Sequence, residues 1–230
     1  MALDIHRGEC HTEEPVDSLE VATRQLVLME KYLARFLPLG ASHPHRFEQL
    51  DLALLVNDLL SLVQTAARHT GVALQAEIPD ERFLILGDSD ALDHMVLNLL
   101  LNAIEAAGQM PESAAAATEQ TQTCPPPTRE AQVWVSLRGT ANERVVLIVE
   151  DTGPGPPAEI TDKMFEPFVT AKTDGVGLGL AVAREVAAEH HGQLGWERRV
   201  AQPPGQATTR FTVELPIAGE GNARANAARS

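Results

Sequence analysis

Two runs of β-branched and apolar residues, Val133 to Arg138 and Arg144 to Glu150, stand either side of Gly139-Thr140-Ala141-Asn142. Runs of that length, separated by a short turn segment carrying glycine, predict an antiparallel hairpin. A hairpin cannot bury its apolar face alone, so the chain must supply a covering layer. Residues 51–69 offer Leu52, Leu55, Val56, Leu59, Leu62, Val63 and Ala66 on one helical face, with Gly71 as a stop. Residues 88–107 open on Asp88-Ser89-Asp90, suitable N-capping chemistry, and carry Leu92, Met95, Val96, Leu99, Leu100, Ala103 and Ile104 as a second apolar stripe before Gly108.

The remaining pattern completes one domain. Val72 to Ile78 and Phe83 to Leu86 read as short strands around the turn Pro79-Asp80. A helix is predicted from about Leu178 to His191, stopping at Gly192, and Gln193 to Arg198 and Arg210 to Leu215 read as closing strands. The expected fold is α+β, a two-layer sandwich with a mixed, mostly antiparallel sheet and its helices on one face. The organisation predicted along the chain is a tail over 1–16, a helix over 17–38, a linker over 39–48, the domain over 49–218 and a polar tail over 219–230. Residues 108–131, rich in Ala, Thr, Gln, Glu and Pro, form an expected insertion within the domain. In the helix 17–37, Leu19, Ala22, Leu26, Met29, Leu33 and Phe36 step by three and four, the spacing of a helix-helix seam, which predicts pairing in a homodimer.

Composition narrows the partners. The formal net charge of -14 leaves no basic field for a nucleic-acid backbone, so an anionic ligand must be held locally by amides, a metal or one well-placed lysine. No stretch approaches the roughly 20 apolar residues of a membrane span. The N-terminus lacks the apolar core of a signal peptide, and a cytoplasmic location is expected. The two cysteines, Cys10 and Cys124, lie in polar loop-like segments and predict free thiols.

Three stretches carry chemistry. On the helix 88–107, Asn98, Asn102 and Glu105 share a face at i, i+4 and i+7, and each Asn costs roughly 0.6 kcal/mol relative to Ala in a helix interior. They fit either two solvated polar residues or a pair in which one carboxamide oxygen ligates Mg²⁺ and the other amide orients water or phosphate. The strand Val145 to Val149 runs into Glu150-Asp151-Thr152-Gly153-Pro154-Gly155, which is either an ordinary Asp-Gly turn or a carboxylate placed to accept from a ligand donor. In the second case, Gly153 and Gly155 bare the backbone for a flat base. Lys172 and Gly175-Val176-Gly177-Leu178-Gly179-Leu180 precede a helix, where exposed amides can receive phosphate oxygens.

In this order these stretches closely resemble the ATP-binding domain of sensor histidine kinases, within the superfamily shared with gyrase and MutL. The resemblance runs from about Leu50 to Pro216: Asn98 to Ala106 resembles the N box, Asp151 to Gly155 and Gly175 to Leu180 the two glycine boxes, and Phe165-Glu-Pro-Phe168 the F box. It implies ATP and Mg²⁺ as ligands, with Asn102 on the metal, Asp151 reading adenine, Gly153 and Gly155 lining the base pocket, and Gly175, Gly177 and Gly179 cradling phosphates. Phe165, Phe168, Val176, Leu178 and Leu180 join the nucleotide site by the same resemblance, and Lys172 sits in the lid. Asn98 stands where the ATPases carry a water-activating Glu. An amide cannot take a proton, so Asn98 and Lys172 are expected to serve phosphoryl transfer rather than rapid hydrolysis.

Complete kinases carry two helices ahead of this domain, the first bearing the acceptor histidine, whereas residues 17–37 resemble the second alone. None of the eight histidines has acceptor surroundings. The expected function is therefore the catalytic unit of a histidine kinase acting on a histidine from another chain or from further sequence, with a response regulator or His-bearing signalling protein as partner. A non-catalytic nucleotide-binding dimeric scaffold and a Ser/Thr kinase of the anti-sigma-factor type are the alternatives.

Overall fold

The computed structural model describes residues 46–109, 131–172, 175–200 and 207–218. The helix expected over 17–38, the two tails and nearly all of the insertion lie outside these. The expected α+β sandwich is the observed fold. Its main sheet has the order β2-β4-β5-β7-β6, formed by Ala73–Glu77 (β2), Gln132–Thr140 (β4), Arg144–Asp151 (β5), Gln193–Val200 (β6) and Ala207–Pro216 (β7). Only the β2–β4 pair is parallel; every other neighbour is antiparallel. Three helices form the second layer: Leu52–His69 (α1), Ser89–Gly108 (α2) and Gly179–Glu189 (α3).

Period-two burial fixes the helix-covered face. Val133, Val135 and Leu137 on β4, Val145, Leu147 and Val149 on β5, and Phe211, Val213 and Leu215 on β7 are all buried. They meet Leu92, Met95, Val96, Leu99 and Leu100 of α2, which packs against β4 and β5, and Val182, Ala183 and Val186 of α3, which packs against β6, β7 and α2. Each fully buried aliphatic side chain contributes about 1.5–3 kcal/mol relative to exposure. Asp88 caps α2 by accepting from the Ala91 N–H at 3.1 Å, and Asp51 caps α1 through the Ala53 N–H at 3.1 Å.

Several features differ from the sequence reading. Glu48–Asp51 forms a strand, β1, which pairs antiparallel with Leu84–Gly87 (β3) in a separate two-stranded sheet. The segments on either side of Pro79-Asp80 therefore belong to different sheets. Leu62, expected in the α1 stripe, is exposed, and Leu60 and Ala67 are buried instead, because the covered face of α1 is rotated from the stripe as read. His190 is buried at the end of α3. Its Nε2 accepts the Asp88 N–H at 3.0 Å, its Nδ1 lies 2.7 Å from the Val186 carbonyl oxygen, and Phe47 stacks on its ring at 5.0 Å. The pairing is that of a neutral imidazole, and it ties the end of α3 to the start of α2. Among the described residues no helix is long and apolar enough to cross a membrane.

Candidate functional site

The two asparagines of α2 face the start of α3. Asn98 is buried, and its Nδ2 has no hydrogen-bond partner among the described residues. A Cβ placed on Gly179 would lie 3.4 Å from Asn98 Oδ1 and 3.7 Å from Asn102 Nδ2, so both carboxamides border the first residue of α3. Leu178 is the N-cap of that helix, and among the described residues no side chain bonds there. The opening amides of α3 are thus left for another acceptor, next to an orphaned amide donor.

One helical turn on, Lys172 meets α2. Lys172 Nζ donates to Asn102 Oδ1 at 3.0 Å and to Glu105 Oε2 at 2.6 Å. Asn102 therefore already presents its oxygen to a cation. Gly175 packs on Thr170 Oγ1 and the Lys172 stem. Gly177 holds φ at +72°, and a Cβ there would stand 2.7 Å from the Phe168 carbonyl carbon, so only glycine fits. The Gly177 carbonyl accepts the Phe168 N–H at 2.9 Å, joining the F-box segment to the glycine loop.

Asp151 ends β5 on the helix-covered face. It is 1% exposed, and its Oδ1 accepts the Gly153 N–H at 2.8 Å. Burial pushes its carboxyl up to about 6; the Gly153 N–H and the Arg198 guanidinium pull the other way, and Glu150 adds to the rise. A carboxylate has acceptor capacity beyond one N–H, so the group can still receive a ligand donor. Gly153 is wedged against the last turn of α2, where a Cβ would meet the Ala106 carbonyl oxygen at 2.6 Å. Gly155 has φ +77° and lies against Arg198 and Thr209.

The fold thus brings Asn98, Asn102, Lys172, Gly175, Gly177, Leu178, Gly179 and Leu180 together where the second half of α2 faces the start of α3, with Asp151, Gly153 and Gly155 beside the last turn of α2. Phe165 is half-buried under the Arg184 guanidinium, 5.5 Å from its ring centroid, while Phe168 and Val176 are 72% and 60% exposed and stand outside the enclosed part. Sequence reasoning missed Arg198 and Thr209: no motif marks them, and only strand register carries them to the Asp151 turn. Glu105 was seen on the asparagine face, but its pairing with Lys172 was not.

Comparison with known proteins agrees with this fold. The signal transduction histidine-protein kinase AtoS of Escherichia coli (strain K12) is 28% identical over 213 residues, covering 92% of this chain and 31% of that protein. The sensor histidine kinase TmoS of Ectopseudomonas mendocina is 30% identical over 168 residues, covering 73% of this chain and 15% of TmoS. The chain thus spans less than a third of either relative's length. The catalytic domain of the histidine kinase ThkA superposes with a TM-score of 0.58 at 25% identity, over 75% of this chain and 96% of that domain. Full-length ShkA in complex with AMPPNP gives 0.59 at 24%, over 90% of this chain and 40% of ShkA. Residues 87–219, more than half of the chain, match the family described as histidine kinase-, DNA gyrase B-, and HSP90-like ATPase, and the protein belongs to that family.

Proposed function

We propose that this domain binds ATP with Mg²⁺ and transfers the γ-phosphoryl group to a histidine supplied by another chain or by further sequence, in partnership with a response regulator. The observation that carries the reading is the orphaned Nδ2 of Asn98, a buried side chain whose carboxamide borders Gly179 through its Oδ1, at a helix start whose amides no described side chain caps. A buried amide left without an acceptor costs about 1–3 kcal/mol, and a phosphate oxygen is the acceptor that suits both it and the helix N-terminus.

In this reading Asp151 accepts from the exocyclic amine of adenine, and the bare backbone at Gly153 and Gly155 lets the base lie close. The amides opening α3 and the loop Gly175 to Gly179 hold phosphate oxygens. Asn102 offers its Oδ1 to the metal. Among the described residues no group of three or more acidic, His or Cys side chains could hold a metal, which suits an ion bound chiefly through phosphates. Magnesium bound there would neutralise charge on the phosphates. Lys172, already on Asn102 Oδ1, is within reach to follow the charge as it moves. Asn98 orients rather than deprotonates, so it favours transfer over hydrolysis.

The test is incubation of the full chain with Mg²⁺, ATP radiolabelled in the γ-phosphate and the purified acceptor-helix domain of AtoS. Acid-labile, base-stable phosphate on the acceptor is expected. Acid-stable phosphate would assign a hydroxyl acceptor, and bound but untransferred nucleotide would assign a binding scaffold.

A further inference from the structure

A cross-strand row joins Asp151 to an arginine from the sheet edge. Asp151 on β5 registers with Thr209 on β7, and Thr209 with Arg198 on β6, so the three side chains share the helix-covered face. Arg198 reaches back across Thr209: its Nη1 donates to Thr209 Oγ1 at 2.6 Å and to the Gly153 carbonyl at 2.8 Å. A Cβ on Gly155 would lie 2.9 Å from the same nitrogen, so the guanidinium is packed against the turn. Gly153 is consequently held twice, at its N–H by Asp151 and at its carbonyl by Arg198.

We propose that Arg198 is a positioning residue for the base-reading end of the site, locking Gly153 from its carbonyl side and holding the Asp151 carboxylate as an anion for the ligand's donor. This rests on the nucleotide reading above. Alongside the Gly153 N–H, Arg198 is the charged group that favours the Asp151 anion. Its strand neighbours across the sheet are Val133 and Thr209, neither charged, and α2 brings the Ala106 backbone against Gly153. Glu150, next along β5, points to the opposite face, where it is engaged by Arg210 at 2.6 Å and by Thr208. Lys172, on α2's side, is paired with Glu105. Arg198 lowers the proton affinity of the carboxyl against the effect of burial, and the balance leaves it at about 6.

The experiment compares wild type, Arg198→Gln and Arg198→Lys, each checked by circular dichroism. It uses calorimetric titration with Mg²⁺ and AMPPNP between about pH 5 and about pH 8.5, together with carbon-13 NMR titration of the Asp151 carboxyl in nucleotide-free protein. In Arg198→Gln, the pH below which affinity is lost and the carboxyl midpoint should both move up toward neutrality, while Arg198→Lys keeps the wild-type midpoint at reduced affinity. An equal loss of affinity at every pH, with the carboxyl midpoint unmoved, would overturn the proposal. A wild type that binds no AMPPNP at any pH would instead contradict the nucleotide reading, and the carboxyl titration would still decide the Arg198–Asp151 coupling.

Discussion

Gly153 sits so close to Ala106 that a Cβ on it would stand 2.6 Å from the Ala106 carbonyl oxygen. This contact joins the Asp151 turn to the end of α2, the helix whose Asn98 and Asn102 face Gly179. A single helix therefore spaces the carboxylate from the glycine loop.

Asn98→Leu is expected to raise stability by about 1 kcal/mol, because it replaces a buried amide whose Nδ2 lacks a partner with an apolar group of the same branched shape. Phosphoryl transfer should fall at least tenfold. Urea denaturation and the transfer assay check the two halves, and a destabilised variant would show that the amide has a structural partner.

Glycine substitutions separate folding from binding. Gly179→Ala meets only ordinary contacts at 3.4 Å and beyond, so stability should hold or rise by up to about 1 kcal/mol while nucleotide affinity falls. Gly177→Ala must adopt φ +72° and press on the Phe168 and Val169 backbone, and should cost the loop roughly 1–3 kcal/mol. Thermal melts with and without nucleotide distinguish them; equal behaviour of the two variants would contradict the geometry.

Asp151 makes stability depend on pH with a defined sign. Its folded value near 6 lies above the ordinary 3.8, so between those values the folded state holds more protons and stability rises as pH falls. The charge therefore costs about 3 kcal/mol at neutral pH, a cost relieved as pH drops through 6 toward 3.8. Asp151→Asn should be the more stable protein at about pH 7.5, with its advantage shrinking below pH 6. Paired denaturation curves across pH check this, and a constant difference would place the titration elsewhere.

The Lys172–Glu105 pair is 35% and 50% exposed at its side chains, so Glu105→Gln should change stability by less than about 1 kcal/mol. Because the carboxylate competes with phosphates for Lys172, AMPPNP affinity should rise, most clearly without Mg²⁺. A fall would mean that Glu105 aims the lysine at the ligand.

The sequence made α1, α2, β4, β5 and the Asp151 turn legible because each carries its own local signal: a capped apolar stripe, or a β-branched run ending at glycines. What it hid depends on partners distant in the chain. Glu48–Asp51 contains no β-branched residue and is a strand only because β3 pairs with it. The parallel partner of β2 lies beyond α2 and the insertion, where no local signal announces it. The part His190 plays was hidden because nothing local announces that the Asp88 N–H will meet it. The glycine boxes are legible locally, whereas Arg198 reaches the Asp151 turn through register alone.

The most direct measurement is calorimetric titration with AMPPNP, with and without Mg²⁺, of wild type and Asp151→Ala. Saturable binding strengthened by Mg²⁺ in wild type and weakened at least tenfold in Asp151→Ala is the predicted result. Equal affinity in the two proteins would remove Asp151 from the site and contradict the account.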